Sequence, residues 1–322
     1  MPTARPSVSV VMPCYNHAAY VGQAIESILS QTRPADEVLV IDDGSTDGST
    51  DIIARYAPAV RLIRQANAGG AAARNRALGE VRGEIIANLD SDDFWQPRYL
   101  ERNVAALVDG NAALAYCPCI VYDQQGRDTG RRDGSAIGDD AVADLLTGNR
   151  ICHSATVVRT EALRQVGGYG RQFWGGGGPG AEDYHLWLRL AARWPIAYQS
   201  EALGCYRLHA RQLTADRNAM FRVMLDVKLD FLDTHRDVAR RLGRRFVRRV
   251  TRDWFWNACL DEYGRGNYRT AADLIAYYLR HYPWGPRGWM QLARTRVPWR
   301  IRSMLAGSTT AASGTVVHSK GA

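Results

Sequence analysis

The feature that most constrains this chain is an abrupt change from apolar to polar, made three times within its first ninety residues. SVSVVM runs into Pro13-Cys14-Tyr15-Asn16, EVLVI into Asp42-Asp43-Gly44-Ser45-Thr46-Asp47, and EIIANL into Asp90-Ser91-Asp92-Asp93. Short runs rich in Val and Ile, with no alternation, read as strands buried on both faces. The first is expected to stop at Pro13. Val60–Arg64 is a further short strand. Between the strands, Ala18–Gln31 places Val21, Ile25, Ile28 and Leu29 on one helical face. Asp47 offers an N-cap to a helix through Ile52–Tyr56, and Gly69–Leu78 is Ala-rich and helical. Strands separated by helices imply an α/β fold with a mainly parallel sheet and right-handed crossovers. Ligands bind such sheets beyond the carboxyl ends of the strands, where all three polar clusters stand.

Past residue 90 the pattern loosens. Pro97 opens a helix; a strand is expected near Ala113–Tyr122, a helix near Asp139–Leu146 and a strand at Ser154–Arg159. Gly175–Gly178 followed by Pro179-Gly180 must be a loop, and Glu182–Ala192 after it is a strong helix. From Asp216 strand signals vanish. Helices are expected over Phe221–Leu232, Val238–Val250, Trp254–Tyr263 and Tyr268–His281, with a turn at Gly264-Arg265-Gly266-Asn267. The tail from Gly307 is rich in Gly, Ser, Thr and Ala and is expected to be disordered. The 322 residues thus divide into 1–215, an all-α region 216–306 and a tail 307–322.

Charge follows the same division. Residues 1–215 sum to −3 and residues 216–322 to +11, almost all of the latter from Arg, since Lys228 and Lys320 are the only lysines. A basic C-terminal third suggests an anionic surface as partner. It lacks a recognisable nucleic-acid fold, and the acidic first two-thirds would repel a phosphate backbone, so nucleic acid is not the expected partner. With 46% apolar and 23% charged residues, the chain is neither disordered throughout nor held together by disulfides alone. Six scattered Cys without a CxxC pair, and no signal peptide, suggest reduced thiols in the cytoplasm. Cys117-Pro118-Cys119 lacks the partners of a metal site and reads as packing. No apolar run approaches the ~18–20 residues that span a bilayer, though a chain can still lie on one.

The strand-end residues carry the chemistry. Asp90 and Asp92, spaced i and i+2, can point at one hard cation such as Mg²⁺ or Mn²⁺, which is commonly shared with substrate phosphates. Alone, such a pair is as readily a solvated turn with Asp as helix N-cap; following a buried strand beside two other polar clusters, it favours the cation. A carboxylate at Asp42-Asp43 could accept the N3–H of a uracil, or belong to a turn and nothing more. Asn67-Ala68-Gly69-Gly70 before a helix bearing Arg74 suits phosphate, through free N–H groups and the guanidinium, or is a capped surface helix. Glu182-Asp183 opens a helix, as catalytic acids or as ordinary first-turn charge. Trp174 beside the glycine loop could stack on a sugar ring or be buried.

Taken in order, SVVMPCYNHAAYVGQAIESILSQT, EVLVIDDGSTDGS, NAGGAAARNRAL and IIANLDSDD, then GGYG…AEDYHLWLRLA and YRLHARQLT, resemble family 2 glycosyltransferases of the GT-A fold over about residues 7–215. The resemblance implies that Pro13, Tyr15 and Asn16 line a nucleotide pocket, with Asn67 and Ser91 in the donor site. Asp43 would contact the base with Asp42 beside it, and Arg74 would face the diphosphate. Asp90 and Asp92 would be the DxD pair, Asp92 touching the metal. Asp183, with Glu182, would stand at the catalytic base. His209 would lie near the diphosphate or metal, although Ala210 replaces the proline that often follows. The implied activity is inverting, metal-assisted transfer from a nucleotide sugar to a saccharide or lipid-linked acceptor; the alternative is a nucleotide-sugar-binding scaffold without transfer. In the C-terminal third, Val238, Leu242, Phe246, Val250 and Trp254 recur every fourth residue among seven arginines. That stripe over 236–254 is either a helix lying on an anionic membrane or a packing face.

Overall fold

The computed structural model describes residues 5–170, 173, 180–210, 212 and 216–283. Trp174, the Gly175–Gly178 loop and the tail from Gly307 lie outside the described residues. The described residues gather into two compact units, one ending at Arg244 and the other beginning at Arg245.

The first unit is a mixed α/β structure. Its chain order is β1 (Val8–Cys14), α1 (Val21–Leu29), β2 (Glu37–Asp42), α2 (Ser49–Ala54), β3 (Arg61–Arg64), α3 (Gly70–Glu80), β4 (Ile85–Asn88), β5 (Phe94–Trp95) and α4 (Tyr99–Asp109). There follow β6 (Leu114–Tyr116), β7 (Cys119–Tyr122), β8 (Asp128–Asp133), α5 (Ala141–Thr147), β9 (Thr156–Arg159), α6 (Thr160–Gln165), α7 (Glu182–Ala191), β10 (Ile196–Tyr198), β11 (Gly204–Arg207), α8 (Arg217–Thr234) and α9 (Arg236–Leu242). The large sheet runs β10-β6-β9-β4-β1-β2-β3. Its neighbours are parallel except at β9, which is antiparallel to β4 and to β6. Val8, Val10, Met12, Leu39, Val40 and Ile41 are wholly or almost wholly buried, so the central strands are covered on both faces as their unbroken apolar runs require. A smaller sheet has the order β5-β11-β7-β8.

Two expectations change here. β1 continues through Pro13 to Cys14, paired with Ile41 and Asp42, because β4 has already ended opposite Val11 and the strand is a free edge on that side, where proline is tolerated. The strand expected over Ala113–Tyr122 is two, in different sheets: Pro118 interrupts it between β6 and β7.

In the second unit, α10 (Arg244–Arg248, its first residue still in the first unit) leads through a wide turn at Arg249–Asp253 into α11 (Trp254–Gly264) and α12 (Tyr268–His281). The hairpin packs Phe255, Ala258 and Cys259 with Ala271, Leu274, Ile275 and Tyr278. The helix expected over Val238–Val250 is broken at Gly243, whose φ of 81° ends α9. The apolar stripe is therefore not one continuous face, and its members Val238 and Val250 are already buried. Among the described residues no helix is long and apolar enough to cross a membrane.

Candidate active site

The loop after β2 is built by its own polar side chains. Asp42 is fully buried and accepts from the Ser45 amide at 2.9 Å, Thr50 Oγ1 at 2.5 Å and Arg64 Nε at 3.3 Å. Burial pushes its carboxyl up, but these donors outweigh it and hold the group below the usual carboxylate range. Asp43 reaches the other way. Its Oδ1 accepts from Gln65 Nε2 at 2.7 Å and the Ala68 amide at 2.9 Å, and its Oδ2 from the Gly69 amide at 2.8 Å, so it ties the Gln65–Gly69 segment to the β2 end. Between them Gly44 has φ 83°, and a Cβ there would stand 3.0 Å from the Asn67 amide nitrogen. Only glycine fits both demands. Tyr15 is 47% exposed and Asn67 is exposed, so these two present the open face of the group.

A second cluster sits deeper. Arg74, on α3, is buried and divides its guanidinium: Nη1 donates to Glu182 Oε1 at 2.6 Å, and Nη2 to Asp90 Oδ1 at 2.6 Å. The ring of Tyr169 lies 5.7 Å from its centre. His153 Nδ1 is 3.4 Å from the same Asp90 oxygen, and His153 Nε2 is 3.1 Å from the Tyr169 hydroxyl. Burial would raise the Asp90 carboxyl, but Arg74 and His153 overcome it and hold the group well below the carboxylate range. Burial together with the charge of Arg74 keeps His153 below the usual imidazole range, hence neutral. For Glu182 burial outweighs Arg74, and its carboxyl is raised. Next to it, Asp183 is pushed up to about 7, first by burial and then by the negative charge of Glu182. Its Oδ1 accepts from the Tyr184 amide at 2.6 Å, in the first turn of α7.

A third group surrounds Asp92. His209 Nε2 is 2.9 Å from Asp92 Oδ2, and His17 Nε2 is 4.0 Å from the same oxygen. One ligand atom from each of His17, Asp92 and His209 lies within 4.8 Å of the others, a donor set suited to a divalent cation. Asp93 is buried and does structural duty, accepting from Ser154 Oγ at 2.6 Å and the Arg207 amide at 2.9 Å. Arg207 lies between the rings of Tyr20 and Phe94 and donates to the Asp92 carbonyl at 3.1 Å, which fixes the turn bearing Asp92.

Of the three residues expected to hold a metal, Asp92 and His209 therefore meet, whereas Asp90 turns to Arg74 and His153. Arg74, expected to face a diphosphate, is engaged by two carboxylates; its Nε has no hydrogen-bond partner among the described residues. Ser91 is buried with its hydroxyl 2.8 Å from His17 Nδ1. His17, His153, Tyr169 and Arg207 were not foreseen. His17 stands directly after the first polar cluster, and Tyr169 and Arg207 lie inside GGYG and YRLHARQLT; only His153 left no signal.

Residues 9–167 match the family model described as glycosyl transferase family 2. This segment belongs to that family. TuaG of Bacillus subtilis (strain 168), named for teichuronic acid biosynthesis, is 29% identical over 223 residues, 66% of this chain and 83% of TuaG. EpsE of the same organism, named as a glycosyltransferase, is 33% identical over 196 residues, 58% of this chain and 66% of EpsE. Two solved structures share the fold of the family 2 domain. TarS residues 1–349 from S. aureus, in complex with UDP-GlcNAc, has a TM-score of 0.60 at 17% identity, covering 90% of this chain and 89% of that one. The mannosyltransferase PcManGT from Pyrobaculum calidifontis, in complex with GDP-Man and Mn²⁺, has a TM-score of 0.60 at 20% identity, covering 97% and 81%.

Proposed function

We propose that this chain transfers a sugar from a nucleotide-diphosphate sugar, a UDP-sugar, to a hydroxyl of a saccharide or lipid-linked saccharide, with inversion, in the synthesis of a cell-surface polysaccharide or glycolipid. The observation that carries the reading is the contrast between two carboxylates. Asp92 is part-exposed beside two imidazoles, whereas Asp183 is held near 7 by burial and Glu182. A carboxylate titrating near neutrality suits general-base catalysis, which removes the proton of an attacking hydroxyl.

In this reading Pro13, Tyr15, Asn16 and Asn67 form the nucleotide side, Asp43 the base contact and Asp42 the anchor beneath it. Asp92 and His209 would hold Mn²⁺ or Mg²⁺, which would offset the charge gathering on the departing diphosphate. Asp183 accepts the acceptor's proton. Arg74 keeps Asp90 ionised and holds Glu182 in place. One base and one leaving-group site fit direct displacement, hence inversion. The UDP and polysaccharide parts draw support from the ligand of TarS and the name of TuaG.

The basic segment 236–254 we assign to an anionic membrane surface at its cytoplasmic face. Arg240, Arg244, Arg245 and Arg249 are exposed, and none has an acid within 4.0 Å among the described residues. Each arginine near such a surface adds about 1 kcal/mol.

The deciding experiment is a donor panel of UDP-Glc, UDP-GlcNAc and GDP-Man, read by thermal shift and by donor consumption, with Mn²⁺ and with EDTA. One donor should stabilise the protein and be consumed, and its product should carry the inverted anomer. A retained anomer, or stabilisation by no donor, overturns the proposal.

A further inference from the structure

We propose that His17 is a metal ligand. With Asp92 and His209 it would complete a site of two imidazoles and one carboxylate that takes a transition-metal dication before any nucleotide arrives and discriminates against Mg²⁺. The inference rests on the metal-assisted reading above and narrows it.

The first support is how His17 is held. Asn16, with φ 56°, takes the left-handed conformation that asparagine tolerates, and so turns the chain after β1. Three successive amides are then bound by side chains of the loop after β2: Asn16 N–H donates to Ser45 Oγ at 3.0 Å, His17 N–H to Ser49 Oγ at 3.0 Å, and Ala18 N–H to Asp47 Oδ2 at 2.9 Å. In return Asn16 Oδ1 accepts from the Thr46 amide at 2.8 Å. The His17 carbonyl accepts from Tyr20 and Val21 at the start of α1. The Ser45-Thr46-Asp47-Gly48-Ser49 loop is thus a scaffold for the backbone of His17.

The second support is how the ring is held. Its Nδ1 lies 2.8 Å from Ser91 Oγ, and Ser91 is itself only 2% exposed. With Nδ1–H donating to that hydroxyl, Nε2 keeps its lone pair on the side of Asp92. The residue between the two acids of the DxD pair therefore acts as an orienting partner of the imidazole. His209, almost fully buried, closes the set from beyond β11, with Tyr20 5.1 Å away.

The third support is donor chemistry. A lone strand-end carboxylate holds a dication weakly and waits for phosphate oxygens to complete the shell. Three fixed protein ligands, two of them imidazole, do not need to wait. Mg²⁺ demands oxygen ligands and loses its waters reluctantly, whereas first-row transition dications accept imidazole, Mn²⁺ the most weakly of the series and so the most demanding probe.

Mn²⁺ binding to the full chain, measured by EPR without nucleotide, tests this. The wild type should bind Mn²⁺ alone, a hundredfold excess of Mg²⁺ should not displace it, and pulsed EPR should show nitrogen coupling from two imidazoles. His17→Gln should lose about 10- to 100-fold in affinity, as should Ser91→Ala through the unguided ring. The inference fails if Mn²⁺ binds only after UDP is added, if equimolar Mg²⁺ displaces it, or if only one nitrogen couples. The spectrum of the wild type decides even if His17→Gln does not fold. Donor consumption with Mn²⁺ by a protein that shows one coupled nitrogen would remove His17 and leave the proposed function standing. Tight binding without consumption of any donor would do the reverse.

Discussion

Arg74→Met is the most searching perturbation of this site, because it removes a single charge on which one buried and one partly buried carboxylate depend. Glu182 is 6% exposed at its side chain and Asp90 29%, and each lies 2.6 Å from the guanidinium. Breaking a buried ion pair by deleting one partner costs ~3–5 kcal/mol. Here two acids lose their cation, so a loss of about 5 kcal/mol is expected at pH 7.5. The pH dependence is the sharper prediction. In the wild type the Asp90 carboxyl is held below its ordinary range, so its contribution is present above about pH 4 and lost as pH falls further. In the variant burial acts unopposed and raises both carboxyls, so each costs stability as pH rises through its new value. Asp183, already raised to about 7, titrates in both proteins, so between pH 7.5 and pH 5 the variant should regain more stability on acidification than the wild type does. Urea unfolding followed by tryptophan fluorescence at the two pH values measures this. Adding Glu182→Gln to Arg74→Met should recover on the order of 1–3 kcal/mol, since one unpaired charge is gone. A loss under about 1 kcal/mol at pH 7.5, or an equal loss at both pH values, would refute the claim that Arg74 is the neutralising group.

Four further outcomes are expected. Asp183→Asn should lower turnover by about 10²–10⁴ while donor binding, read by thermal shift, persists; normal turnover would place the base elsewhere. The wild-type rate should rise with pH through about 7, and Glu182→Gln should move that limb to lower pH by removing the second cause of the raised Asp183 carboxyl. Gly44→Ala forces a Cβ into a φ of 83° and to 3.0 Å from the Asn67 amide, so it should weaken nucleotide binding and cost on the order of 1 kcal/mol; unchanged binding would show the Asn67 segment to be slack. Co-sedimentation with liposomes should rise with anionic lipid and fall with salt; no binding at low salt would leave residues 236–254 without a membrane role.

The framework was legible because buried parallel strands announce themselves. SVSVVM, EVLVI and EIIANL are continuous apolar runs, and β1, β2 and β4 lie side by side in the sheet as such runs require. Other elements left weaker traces. β5, β8 and β10 are short or exposed, and β8 (DTGRRD) carries no apolar period at all; its neighbour β7 holds it in place. The stripe Val238-Leu242-Phe246-Val250-Trp254 misled for a definite reason. Spacing by four counts residues but not the one φ above zero at Gly243, and a single left-handed residue is enough to end a helix.

The site itself was legible as residues and illegible as pairings. Sequence marks Asp42, Asp43, Asp90, Asp92, Asp93, Glu182 and Asp183 as one kind of thing, acids at the ends of buried elements. What separates them is who neutralises each, and apart from the Ser45 amide and Thr50 hydroxyl on Asp42 the partners come from elsewhere in the chain: Arg64 for Asp42, the Ala68 and Gly69 amides for Asp43, Arg74 for Asp90 and Glu182 together, Ser154 and the Arg207 amide for Asp93. A carboxylate satisfied in this way serves first as a structural anion, and a further ligand, such as a base at Asp43, must use the lone pair the fold leaves on Oδ2 or displace a donor already in place. Subtracting these leaves Asp92, facing only imidazoles, and Asp183, raised to about 7 and taking one amide in its own turn. The resemblance named both among thirteen residues. The hydrogen-bond partners single them out, because an acid can bind a cation or accept a proton only to the extent that the fold has not already satisfied it.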